Sequence, residues 1–103
     1  MIMESELTES SAISRLPGNG TFQHAAKIAI AEDKPILLDY WKLSLEKDSF
    51  IGVKEDDEKL LVKSSEEYTS PVAKIYECDN EYIIVTENSI YLVDKGIPTR
   101  RIS

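Results

Sequence analysis

A chain of 103 residues with an apolar share of 42% is long enough for one core and too apolar for a disordered chain, so it reads as a single domain. A net charge of −7 repels phosphate and makes duplex nucleic acid a poor partner. One cysteine, Cys78, excludes an internal disulfide and fits a reducing compartment, and no apolar run approaches the roughly 18 residues of a membrane span.

The charge is unevenly distributed. Residues 1–34 carry five acids and three bases, residues 35–94 fourteen acids and six bases, and residues 95–103 three bases (Lys95, Arg100, Arg101) and no acid. Three charges at a terminus read as a solvated end rather than a docking element. The opening MIMESELTESS lacks the basic and apolar segments of a secretory signal, so the expected location is the cytoplasm or something assembled there.

Residues 1–20 read as an N-terminal arm. Ser, Thr and Glu dominate residues 4–14, and Leu16-Pro17-Gly18-Asn19-Gly20 breaks the chain before any regular element. Such an arm orders on a partner if it orders at all, which makes Leu16 and Pro17 candidate partner-binding residues. Backbone N–H groups beyond Gly18 and Gly20 offer an anion a place, but the spacing matches neither a P-loop nor a dinucleotide fingerprint. A hinge followed by a helix cap is the better reading.

Residues 21–32 predict a helix capped by Thr21. Phe22, Ala25, Ala26 and Ala29 share one stripe, and its small alanines allow another backbone to come close. Phe22 and Ala26 are therefore candidate contacts. Pro35 ends the helix by Asp33 or Lys34.

Residues 35–45 suit a buried strand or a second helix starting at Pro35, and the aromatics of Pro35-Ile36-Leu37-Leu38-Asp39-Tyr40-Trp41 favour strand. Further strands are expected at Ser49–Lys54, Lys59–Lys63, Val72–Cys78, Glu81–Thr86 and Ser89–Asp94. Asp79-Asn80 suits a tight turn because both residues tolerate positive φ, and Glu87-Asn88 suits another, so the last three strands form a meander. Ile83-Ile84-Val85 and Ile90-Tyr91-Leu92-Val93 are apolar on both faces, so both faces should be covered. Lys59–Lys63, bracketed by charge, reads as an edge. The fold class is α+β, mainly β. An N-terminal arm (1–20) precedes one domain (21–103), in which one helix packs on a small antiparallel meander or an SH3-like barrel of five to six strands.

No chemical constellation emerges. A catalytic pair of His24 and Cys78 has no local support for an activated thiol. One His and one Cys cannot build a structural zinc site. Glu55-Asp56-Asp57-Glu58 lacks the spacing and glycine of a calcium loop and reads as a charged hairpin tip. The expectation is a protein without catalytic residues, cofactor or metal. Tyr40, Trp41, Tyr68, Tyr76, Tyr82 and Tyr91 sit among carboxylates, which suits core packing better than base stacking. A cation-binding cage or peptide-reading surface built on Tyr40, Trp41 and Tyr68 is the alternative.

Asp-Lys-Pro-Ile-Leu-Leu-Asp-Tyr-Trp (33–41), Phe-Ile-Gly-Val-Lys-Glu (50–55), Lys-Leu-Leu-Val-Lys (59–63), Glu-Tyr-Thr-Ser-Pro-Val (67–72) and Glu-Tyr-Ile-Ile-Val-Thr-Glu-Asn-Ser-Ile-Tyr-Leu-Val (81–93) resemble small proteins of the large double-stranded DNA viruses of algae and protists. The resemblance implies a virion or assembly component, such as a minor capsid protein bridging or underlying capsomers and assembled in host cytoplasm. Its partners would be neighbouring capsid or assembly subunits, or further copies of itself. The resemblance assigns no residue a role. The leading expectation is a structural or interaction protein; the alternative is a small barrel that binds a peptide through its aromatics.

Overall fold

The computed structural model describes residues 15–102. Most of the arm expected over 1–20 therefore lies outside the described residues. Within them Arg15–Gly18 run against the hairpins, and helix α1 begins at Asn19, two residues earlier than the sequence suggests.

The fold is α+β and mainly β. Element order is α1 (Asn19–Glu32), β1 (Ile36–Leu37), α2 (Trp41–Leu45), β2 (Phe50–Val53), β3 (Lys59–Val62), β4 (Val72–Cys78), β5 (Glu81–Thr86), β6 (Ile90–Asp94) and β7 (Thr99–Arg101). The strands form two mixed sheets, ordered β1-β6-β5-β4 and β3-β2-β7. Among the described residues, two helices and seven strands thus replace the expected one helix and five to six strands. The described residues form no closed barrel.

The β4-β5-β6 meander follows the expected turn chemistry. Asp79 and Asn80 both have positive φ, and Cys78 pairs with Glu81 across them. At the next turn the Thr86 Oγ1 accepts from the N–H groups of Asn88 and Ser89. Helix α1 stops where Asp33 turns left-handed, two residues before Pro35.

Residues 36–45 are a correction. Only Ile36 and Leu37 are strand, paired parallel to β6, and the aromatic pair begins a short helix instead. The two-faced apolarity of β5 and β6 explains why. On one face Ile83, Val85, Ile90 and Leu92 pack with Ala25 of α1 and Trp41 of α2. On the other, Ile84 and Val93 pack with Tyr40, Ile51, Leu61 and Ile97, so the smaller sheet covers that side. Both faces are filled from within one chain. A turn at 38–40, closed by Trp41 N–H donating to the Leu38 carbonyl at 3.0 Å, starts α2. The Ser44 hydroxyl of α2 accepts from Asp94 N–H at 2.8 Å, and from this position Tyr40 and Trp41 fill opposite cores.

β7 has a different origin. Thr99-Arg100-Arg101 is exposed and lacks an apolar pattern, yet it pairs parallel with β2. Arg100 and Arg101 thus belong to the smaller sheet and are not simply a solvated end, while Lys95 lies just past β6, its N–H donating to the Asn80 carbonyl at 3.0 Å.

Candidate functional site

The alternation of β2 and β3 gives the smaller sheet two faces. Ile51 and Leu61 turn into the core, while Phe50, Leu60 and Val62 turn outward. Gly52 lies on the same outer side, and Ile102 crosses over it: a Cβ on Gly52 would stand 2.7 Å from the Ile102 Cδ1 and 3.1 Å from the Val62 Cγ2. The 64–71 loop folds back beside β3. Thr69 N–H donates to the Leu61 carbonyl at 2.9 Å, Leu61 N–H donates to the Thr69 hydroxyl at 3.1 Å, and Tyr68 bridges to Val62. The loop thereby becomes a wall, with Tyr68 60% exposed along it.

Floor and wall enclose a groove of about 780 Å³, within the size range of ligand sites. Its floor is apolar. Ser64, Ser65, Thr69 and Ser70 supply hydroxyls on one side, and the Lys54–Glu58 ion pair (3.2 Å) closes the hairpin end. Arg100 lies over the Phe50 ring with its guanidinium carbon 4.9 Å from the centroid, which fixes the ring at the rim. Lys54 N–H donates to the Glu58 carbonyl at 2.8 Å, so residues 55–58 form the charged hairpin tip that the sequence suggests.

The expected site residues do not converge. Tyr40 and Trp41 are 4% and 6% exposed and belong to the two different cores. Tyr40 packs edge-on against Tyr91 at 5.4 Å, and Trp41 donates its indole N–H to the Arg15 carbonyl at 2.6 Å. No shared aromatic surface of Tyr40, Trp41 and Tyr68 exists, because adjacent residues on the 40–41 turn point to opposite sides of the large sheet. Only Tyr68 reaches the groove. Leu16 is exposed and Pro17 is buried against the fold. Phe22 is half-buried in the helix-side core, whereas Ala26 is on the solvent side of α1.

Thr21 is not the helix cap. It sits in the first turn behind Gly18, fully buried. Its hydroxyl is 2.5 Å from Glu81 Oε1 and 3.0 Å from the Cys78 carbonyl, and its single proton goes to the nearer, charged oxygen. Glu81 also accepts from Gly18 N–H at 2.9 Å and from Arg15 at 2.5 Å, and Arg15 pairs with Asp94 as well. Burial by itself would raise the Glu81 carboxyl. The hydrogen bonds from Thr21, Gly18 and Arg15, with the Arg15 charge, outweigh it and hold the group below the ordinary carboxylate value. The helix N-terminus that offered an anion a place is filled by the protein's own carboxylate.

His24 and Cys78 line one small trough between α1 and β4. Among the described residues no group of three or more His, Cys, Asp or Glu is placed to hold a metal ion, and no helix is long and apolar enough to cross a membrane. No protein-family model, curated protein or solved structure matches the chain.

Sequence reasoning missed the groove because its parts come from four separate stretches: 50–54, 58–62, 64–71 and 102. One signal was present. Outward positions of a short strand should be polar, yet Leu60 and Val62 alternate with the core residue Leu61 and leave an apolar outer face.

Proposed function

We propose that this protein is a non-enzymatic interaction module whose working surface is the groove over the outer face of the β3-β2-β7 sheet. Its occupant is an extended, apolar segment of a partner protein. The observation that carries this reading is the groove: an apolar floor of Phe50, Leu60, Val62 and Ile102 beside a hydroxyl-rich wall. Apolar side chains of the occupant would leave water on the floor, and its backbone would find hydroxyl partners on the wall.

The setting we propose is a viral assembly, with the groove receiving a segment of a neighbouring capsid subunit. The resemblance of residues 33–93 to small proteins of large DNA viruses is the support for that narrower statement. A virion assembled in host cytoplasm is consistent with one free cysteine.

A photo-crosslinking residue placed at Tyr68 tests the reading in the source material, with the same residue at Asp56 on the hairpin tip as control. Position 68 should trap one discrete partner protein, and Leu60→Glu should abolish the trapping. Equal, diffuse labelling from both positions overturns the proposal.

A further inference from the structure

We propose that the free edge of β4, together with the trough beneath α1, is a second docking surface, which takes an acidic extended peptide by strand addition. Among the described residues strand β4 is the edge of the large sheet, and it is exposed from Ala73 to Glu77. Cys78 and Glu81 flank a two-residue turn, which makes them a hydrogen-bonded pair. Alternation then directs the backbone groups of Cys78, Tyr76 and Lys74 at β5, and those of Ile75 and Glu77 outward. Outward groups of an edge strand are a template for another strand.

The side chains along this edge specify the visitor. Helix α1 packs over the inner strands and leaves a trough of about 230 Å³ above β4, lined by His24, Lys27, Ile28, Tyr76 and Ile83, with Glu77 and Cys78 at its strand end. Tyr76 and Ile75 are 40% and 38% exposed, one on each face of the edge. An added strand would lay one apolar side chain between Ile28 and Tyr76.

Charge selects among candidate partners. The lining carries one base, Lys27, and one acid, Glu77, so the charge it offers a visitor depends on which of the two is already paired. Lys27 has no ion-pair partner among the described residues. Lys74 lies 3.8 Å from Glu32, which also serves Lys34, while the one acid on this stretch, Glu77, is held by Lys95 at 2.5 Å. Asp or Glu flanking the apolar residue of the visitor would meet Lys27 and Lys74. A second copy is disfavoured: antiparallel pairing of β4 with itself keeps the helix side on the helix side and brings two sets of Lys27 and Lys74 to one seam.

The test is a nuclear magnetic resonance titration of the full chain with two peptide pools. Both alternate Val or Thr with Leu or Tyr; one is flanked by Glu and the other by Lys. The acidic pool should shift and protect the Ile75 and Glu77 amides and perturb Lys27, and the basic pool should not. Lys27→Glu with Lys74→Glu should weaken the acidic pool roughly tenfold, with the spectrum otherwise intact. Ile75→Pro, which removes one outward N–H, should abolish binding. Several results overturn the proposal: no β4 response to the acidic pool at millimolar concentration, equal response to both pools, β4 amides already protected in dilute monomer, or protection that rises with protein concentration alone. Because the groove at Tyr68 lies on the other sheet, its resonances report separately on that site.

Discussion

Arg15 and Glu81 form an ion pair that joins the first described residue to the start of β5. One carboxylate oxygen takes the guanidinium, while the other takes Gly18 N–H and the Thr21 hydroxyl. Glu81 is 1% exposed, so this cluster is the internal fastening of the helix start onto the meander. Removing one member of a buried pair strands the rest. Glu81→Ala should lower the unfolding free energy at neutral pH by about 3 kcal/mol, discounted from the fully buried case because Arg15 is half-exposed. Urea denaturation checks this; a loss under about 1 kcal/mol would contradict it.

The same carboxylate predicts an acid limb. A group whose folded pKa lies below its unfolded value stabilises the fold above the unfolded value, here 4.5, and that contribution disappears as pH falls through the folded pKa. Stability should therefore decline below about pH 4.5, and the Glu81→Gln variant should decline less over that window. Parallel pH profiles of the two proteins would remove Glu81 as the cause.

Trp41 is the chain's single tryptophan, so its emission reports one environment. It is buried, hydrogen-bonded to the Arg15 carbonyl, and covered by the Arg15 guanidinium 5.1 Å from its centroid. The folded protein should show blue-shifted emission protected from iodide. Arg15→Ala should raise iodide quenching by opening that side of the ring and leave the far-ultraviolet circular dichroism unchanged. Quenching as efficient as that of free indole in the unmutated protein would contradict the burial.

Legibility in the sequence followed the locality of the signal. Strands β2 to β6 were visible because Val, Ile and Tyr runs stand between turn residues whose chemistry is local, such as Asp79 and Asn80 at positive φ. The apolar doubling of Ile83-Ile84-Val85 also stated its consequence, two covered faces, and the Ala-rich helix α1 is one of the covers, as expected. The other covers were not legible: α2 is five residues long, and β7 is three polar ones held by pairing with β2 rather than by their own pattern. The groove was hidden for the same reason, since only tertiary folding brings Tyr68 beside Phe50 and Ile102.

Tyr40 carries an alkaline signature. Burial first, then the negative charge of Asp39 and its neighbours, pushes the phenol from 10.0 up to about 12. A raised acid pKa means stability is complete below pH 10 and is lost as pH climbs toward 12. Tyr40→Phe should be close to neutral at pH 7 and should lose less stability between pH 10 and 12. The difference between the 295 nm titration curves of the unmutated protein and Tyr40→Phe should place the ionisation of Tyr40 at about 12. A difference curve centred near pH 10 would refute the shift.

Ser49 supplies the simplest stabilising change. It lies at the entry to β2, fully buried, and its hydroxyl has no hydrogen-bond partner among the described residues. A hydroxyl stripped of water without a replacement partner is a penalty that the fold carries, of the order of 1–3 kcal/mol. Ser49→Ala removes the polar atom and leaves only a small void, so part of that penalty is recovered. The variant should gain about 0.5–1 kcal/mol in urea unfolding. Because Ser49 sits outside the groove lining, Tyr68 crosslinking should be unchanged. A clear destabilisation would mean that the hydroxyl is satisfied in solution, by water or by a residue beyond those described, and that the entry to β2 is wetter than its packing indicates.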